Sequence, residues 1–288
     1  MESNSKKDKL YFYVAVVLFS ALFVWWLYVQ YLGASGSADF NIQGQAFAAA
    51  YGIVALWGGF VAFIVSRKWG FFSSLFGRSL LAFSIGLFLQ EFGQIAYSYY
   101  IYFMKIDIPY PSIGDVGYFG SIFFYIYGAY LLLKLLSINT KGKSVLDKFL
   151  MFLMPLALLA ASYFLFLKDH EYTPGISLTN FLDIGYPLLQ CVYVSLAFAS
   201  LVFQGPRIGG FMRKGVLMIL VALVSQYVSD FTFLFKASRG TYVVGGVTDL
   251  LYLIAYFLMT LAIIELDLVF EKLKSGSITS NGGAGTGT

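Results

Sequence analysis

Pro109-Tyr110-Pro111-Ser112-Ile113-Gly114-Asp115-Val116-Gly117-Tyr118 is the stretch from which the architecture is read, because its last four residues return twice. Asp115-Val116-Gly117-Tyr118 is echoed by Asp183-Ile184-Gly185-Tyr186 and by Asp249-Leu250-Leu251-Tyr252. The successive tyrosines stand 68 and 66 residues apart, and Tyr51 lies 67 before Tyr118 with Ala48 in the place of the aspartate. A repeat of such long period sets the building unit before any single side chain is weighed.

Around that repeat the chain is strongly apolar. Hydrophobic residues make up 59% of its 288 positions and charged ones 12%, with a mean hydropathy of +0.76. A soluble domain carries about 25% charged residues, so this composition calls for lipid as solvent. Aromatic residues reach 19%, and many fall near span ends, where amphipathic rings favour the interface. The single cysteine, Cys191, lies in an apolar run and excludes an internal disulfide.

Eight stretches are long enough to cross a bilayer, at about 10–32, 45–66, 79–104, 114–136, 145–167, 178–203, 215–236 and 247–270. Together they form a transmembrane domain over 10–272, between a short N-terminal segment 1–9 and a tail 273–288. Beyond Lys274 that tail is rich in Gly, Ser and Thr, a linker-like composition expected to be disordered. The fold class is thus all-α: a polytopic membrane protein of eight transmembrane helices. Gly36-Ser37-Ala38 resembles a signal cleavage site, but the first apolar run is too long for a signal peptide and is kept as a helix.

The basic residues give the orientation. Fifteen fall on one side: Lys6, Lys7, Lys9, Arg67, Lys68, Arg78, Lys134, Lys141, Lys143, Lys148, Arg207, Arg213, Lys214, Lys272 and Lys274. Only Lys105, Lys168, Lys236 and Arg239 fall on the other. The positive-inside rule then places both termini in the cytoplasm of a cell whose inner membrane holds the protein.

Each repeat reads as a helical hairpin whose returning span carries Asp and Tyr on one face at its outer end. Ser112, Asn180 and Gly246 stand three residues before the aspartates as helix-starting residues, and Ser112-x-x-Asp115 fits the capping box. The aspartates are therefore helix-entry devices or, alternatively, a ring of carboxylates about an outer vestibule. A second periodicity pairs Gln90 and Gln94 in span three with Gln226 and Asp230 in span seven, whereas span five offers Leu and Ala there. The chain therefore also reads as a parallel 4+4 pseudo-repeat.

Glu91 in span three and Asp230 in span seven have no Lys, Arg or His at similar depth. Carboxylates in hydrocarbon must then face the bundle interior. There they would be protonated, bonded to the glutamines, or paired with a cation. Tyr97, Tyr99, Tyr100 and Tyr227 lie close in sequence, and tyrosine faces receive organic cations. The alternative is a network that merely joins spans three and seven. Pro155 and Pro187 each remove a helix bond, and Pro187 frees the Asp183 carbonyl.

Several chemistries lack their residues. His170 is the only histidine and reads as a solvated loop residue, so two haem ligands or a His/Cys metal site are missing. The eighth span has no lysine for a retinal Schiff base, no base accompanies the buried serines, and no P-loop or G-x-G-x-x-G occurs. No enzymatic activity, cofactor, metal or nucleic-acid partner is expected.

The stretch 109–118, preceded by a polar span, resembles the multi-span membrane regions found ahead of bacterial diguanylate cyclase (GGDEF) and histidine kinase domains. Leu182–Leu189 and Thr248–Tyr252 resemble the later repeats of such regions, so the likeness covers about spans three to eight. It implies a sensory membrane module. No cyclase or kinase domain follows span eight in this sequence, so a signal would pass to a cytoplasmic or membrane partner protein.

The reading that results is a receptor-like module holding a small or amphipathic ligand in an outward-facing pocket between spans three, four, seven and eight. Gln90, Glu91, Gln94, Tyr97, Asp115, Tyr118, Gln226, Asp230, Asp249 and Tyr252 are its candidate ligand-binding residues. A proton- or cation-coupled transporter and a structural subunit of a membrane complex are the alternatives.

Overall fold

A computed structural model describes residues 2–106, 108–136, 144–165, 168, 175–202 and 206–275. The tail beyond Ser275 and the loop around His170 lie outside the described residues. Lipid offers backbone groups no partner, so apolar runs of this length satisfy their own hydrogen bonds as helices. The described residues form helices and no strand: α1 (Glu2–Ala34), α2 (Asp39–Ala50), α3 (Ile53–Lys68), α4 (Leu75–Tyr99), α5 (Ile113–Leu136), α6 (Val145–Leu165), α7 (Leu178–Val202), α8 (Pro206–Ser238) and α9 (Val247–Lys274). A π-helical turn, Tyr100–Met104, extends α4.

Seven of these stretches are long and apolar enough to cross a membrane: α1, α2 with α3, α4 with its π-turn, α5, α7, α8 and α9. The expected fifth span coincides with α6, whose described apolar core is the shorter Leu153–Phe164. The expected second span begins earlier, at Asp39, and is interrupted between α2 and α3. At that break Tyr51 N–H donates to the Phe47 carbonyl and Val54 N–H to the Tyr51 carbonyl. The Ala48 carbonyl between these steps accepts the side-chain amide of Gln94. A side chain inserted into the helical ladder is a recognised cause of a bend.

Six helices pack as a closed ring in the order α3, α4, α5, α7, α8, α9 and back to α3. α1 lies against α9, α2 and α3, while α6 packs on α7. Tyr13, Val17, Val24 and Tyr31 on α1 are each more than 60% exposed, as suits a lipid-facing helix. Small residues allow the closest approach in the ring. A Cβ added at Gly117 of α5 would stand 2.7 Å from the Gly93 amide nitrogen of α4.

Ion pairs mark one end of the ring. There Lys68 at the end of α3 bridges Asp267 and Glu271 of α9, at 2.8 and 3.2 Å. Lys214 of α8 pairs with Glu265 of α9 at 2.8 Å. At the other end α5, α7 and α9 begin, and there the echoed motif residues gather.

Candidate ligand cavity

The first turns of α5 and α9 hold Asp115 and Asp249. Asp115 Oδ2 accepts the Ser112 amide at 2.7 Å and the Ser112 hydroxyl at 3.2 Å, while Ser112 Oγ accepts the Gly114 amide. These reciprocal bonds satisfy helix-start donors, as the capping box does. Asp249 Oδ2 accepts the Gly245 amide at 2.6 Å. α7 departs from expectation: it begins at Leu178, and Ser177 Oγ accepts the amide of Asn180. Asn180 is therefore inside the first turn and does not start the helix. A cap three residues earlier places Asp183 one turn deeper into α7 than its counterparts.

Each aspartate also accepts a tyrosine hydroxyl. Tyr186 donates to Asp115 at 2.9 Å, Tyr110 to Asp183 at 2.6 Å and Tyr242 to Asp249 at 2.9 Å. Tyr252 donates to Asp230 on α8 at 2.8 Å, and Tyr118 to Gln94 on α4 at 2.7 Å. Burial, reinforced by the neighbouring Asp183 and Asp249, raises the ionisation of the Tyr110 and Tyr242 hydroxyls well above the usual tyrosine range. They therefore remain hydrogen-bond donors.

These groups surround a cavity of about 630 Å³. All six echoed residues line it: Asp115, Tyr118, Asp183, Tyr186, Asp249 and Tyr252. Tyr51 joins them from the α2–α3 break, its ring stacked on Tyr252 with centroids 6.3 Å apart. The lining runs from exposed residues such as Tyr102, Pro109, Tyr110 and Gly240 down to buried Gln94 and Asp249. It holds four carboxylates and eight tyrosines, with no Lys, Arg or His among the described lining residues.

No protein-family model, curated protein or solved structure matches this chain.

Seven of the ten expected site residues line the cavity: Gln94, Tyr97, Asp115, Tyr118, Asp230, Asp249 and Tyr252. Gln90, Glu91 and Gln226 do not, because each sits about one helical turn below the lining residue of its own helix. Gln90 is spent beneath the floor, donating to Ser121 Oγ at 2.8 Å and accepting from Tyr256 at 2.9 Å. Gln226 donates to Asp230 from the preceding turn at 3.1 Å. Glu91 instead lies against the α2–α3 break. Its carboxylate lies against Gly52, where a Cβ would collide with it, and its buried Oε2 has no hydrogen-bond partner among the described residues. Of the other tyrosines expected nearby, Tyr227 turns away to Ser162 at 3.1 Å, and Tyr99 is exposed.

The walls also extend beyond the expected spans three, four, seven and eight. Span two contributes Tyr51 and Gln45, and span six contributes Asp183 and Tyr186. Gln190 beneath them was not singled out by sequence reasoning, although Asp183, Tyr186 and Gln190 stand at i, i+3 and i+7 on one face of α7. Tyr110 and Tyr242 carry no such signal, since both lie in connections. The arrangement supplies acceptors and aromatic faces. Among the described residues no group of His, Cys, Asp and Glu is arranged to hold a metal ion.

Proposed function

We propose that this chain is an integral membrane receptor-like module that binds a small or amphipathic ligand in the cavity at the starts of α5, α7 and α9. The observation that carries this reading is the convergence of the echoed residues on one space of about 630 Å³, within the range of small-molecule sites. We further propose eight spans, with α6 as the fifth, and both termini in the cytoplasm of a bacterial-type inner membrane. The cavity then faces outward, away from the basic end. A 4+4 duplication is supported by the neighbour order: α3, α4 and α5 follow one another in the ring as α7, α8 and α9 do, with α1 and α6 each outside. A signal would reach the cytoplasm through a partner protein.

A carrier is the second reading. It is favoured by the Lys68–Asp267–Glu271 bridge, which ties α3 to α9 at the end opposite the cavity. The test uses the full chain in nanodiscs and proteoliposomes, with thermal shift and uptake measured against small amines, neutral amphiphiles and organic acids. A compound that stabilises the chain, loses its effect in Ala237→Trp at the cavity mouth and shows no uptake is the expected result. Uptake would make the chain a carrier. Absence of any stabilising compound would remove the cavity as a ligand site.

A further inference from the structure

Given the ligand cavity proposed above, on which this step depends, we propose that its ligand is uncharged and sets a hydroxyl group beside Ala48, between Gln45 and Tyr51. These three residues stand at three-residue spacing in span two, and all of them line the cavity. Tyr51 is only 5% exposed, yet its hydroxyl makes no hydrogen bond with any described residue. Unlike the enclosed Gln190 Oε1, that hydroxyl keeps accessible surface. It lies within electrostatic range of Asp249, Tyr118 and Tyr242, which are lining residues themselves.

The repeat explains why this hydroxyl is left over. Around α7, Tyr110 donates to Asp183 and Tyr186 donates to Asp115, so two tyrosines meet two aspartates. In span two, Ala48 stands where Asp183 would be, three residues before Tyr51. Tyr242, in the connection before α9 as Tyr110 is in that before α5, donates to Asp249 instead. Asp249 is the acceptor that Tyr51 would take by analogy with Tyr186, since α9 neighbours α3 as α5 neighbours α7. Its second oxygen already holds the Gly245 amide. Two hydroxyls thus share one carboxylate, and the corner beside Ala48 lacks the acceptor that the repeat supplies elsewhere.

The group that completes this corner must accept from Tyr51, because so deeply placed a donor calls for a partner. It must also give a hydrogen. Tyr118, Tyr186, Tyr242 and Tyr252 have committed theirs, and their oxygens have only lone pairs left to offer. A carboxylate accepts but has nothing to give, and it meets a wall of four carboxylates with no basic side chain among its described residues. An ammonium gives but leaves the Tyr51 hydrogen unmet. An ether or carbonyl accepts but leaves the lone pairs unanswered. A hydroxyl does both, and the Gln45 amide beside it, which makes no hydrogen bond with a described residue either, can supply or receive either bond. Ala49, Ile101, Phe233 and Leu234 give the body of such a ligand an apolar wall.

The experiment uses the full chain in nanodiscs, with Kd read from intrinsic fluorescence and stability from thermal shift. The probes are 2-phenylethanol, its methyl ether, 2-phenylethylamine and phenylacetate. 2-Phenylethanol is expected to bind about five- to tenfold more tightly than the ether or the amine, and phenylacetate not at all. Tyr51→Phe should weaken the alcohol about five- to tenfold and leave the amine unchanged. The same variant should keep the melting temperature of the ligand-free chain, because its hydroxyl has no partner to lose. Ala48→Asp restores the missing acceptor and should abolish binding of the alcohol; if it does not fold, Tyr51→Phe decides alone. Equal affinity for the alcohol in the wild type and Tyr51→Phe, with binding blocked in Ala237→Trp, would overturn the hydroxyl assignment and leave the cavity reading standing. A ligand-free Tyr51→Phe as destabilised as Tyr186→Phe would overturn it too, as would tighter binding of the amine than of the alcohol. Failure of all four probes would overturn the assignment, and the cavity reading falls with it only if the wider set of amines, amphiphiles and acids also leaves the chain unstabilised.

Discussion

Tyr186 on α7 gives its hydroxyl to Asp115 on α5 at 2.9 Å, crossing to the neighbouring helix of the ring. Tyr118 and Tyr252, its echoes, give theirs to Gln94 and Asp230 on the helices just before them. The difference follows from sequence: the helix before α7 is α6, which has Leu and Ala where α4 and α8 carry polar groups. A hydroxyl buried on α7 must find another acceptor. Tyr186→Phe should therefore lower stability by about 1–3 kcal/mol, because it leaves a buried acceptor without its donor. Detergent-titrated unfolding checks this, and adding Asp115→Asn should give less than the sum of the two single effects.

Gly245 has φ of +76°, and a Cβ there would stand 2.6 Å from the Gly44 Cα of α2. Its amide also holds Asp249. Gly245→Ala should lower the melting temperature strongly, since a strained φ and a backbone collision act together. Gly36→Ala has a similar φ of +68° but meets nothing within 4 Å. That variant should lose only about 1 kcal/mol, and equal effects in the two would remove the collision from the account.

Glu91 has no partner for its buried Oε2 and does not line the cavity. Glu91→Gln should leave ligand binding unchanged and leave thermal stability equal or higher, because it removes an uncompensated carboxylate. A loss of binding or transport in this variant would return Glu91 to the site.

How much of this was legible beforehand differs by residue. Asp-x-x-Tyr echoes pointed to the returning helices, and Asp115 with Ser112 followed the capping rule closely, because both depend on near neighbours in the chain. Gln94 and Asp230 stood out as polar groups in apolar runs. Glu91 stood out for the same reason, yet its depth relative to the α2–α3 break is a tertiary matter. Gln190, Tyr110 and Tyr242 make their hydrogen bonds with partners 40, 73 and 7 residues away, and of the three only Gln190 has a periodic signal, on the face of α7 that carries Asp183 and Tyr186. Asn180 read as a helix start because it holds the position of Ser112, but Ser177 captured the cap.

Lys68 is partly exposed while Asp267 is fully buried, 2.8 Å away. Lys68→Met would remove this cation from beside the buried Asp267 and should destabilise the chain, by up to about 3–5 kcal/mol. Lys68→Met with Asp267→Leu should recover much of that loss. Thermal unfolding of the three variants in nanodiscs measures both effects.

Trp26 and Gln30 on α1 donate to the carbonyls of Gly246 and Gly245, across 220 and 215 residues of chain. Those two carbonyls belong to the turn that presents Asp249. During synthesis the first helix emerges long before its last partner, and α9 must insert before α3 has its final neighbour in the ring. The cavity wall therefore has no completed form until α9 has left the ribosome. A nascent polypeptide halted before Val247 would present α1 and α3 with their α9-facing sides still turned to lipid or to membrane insertion machinery.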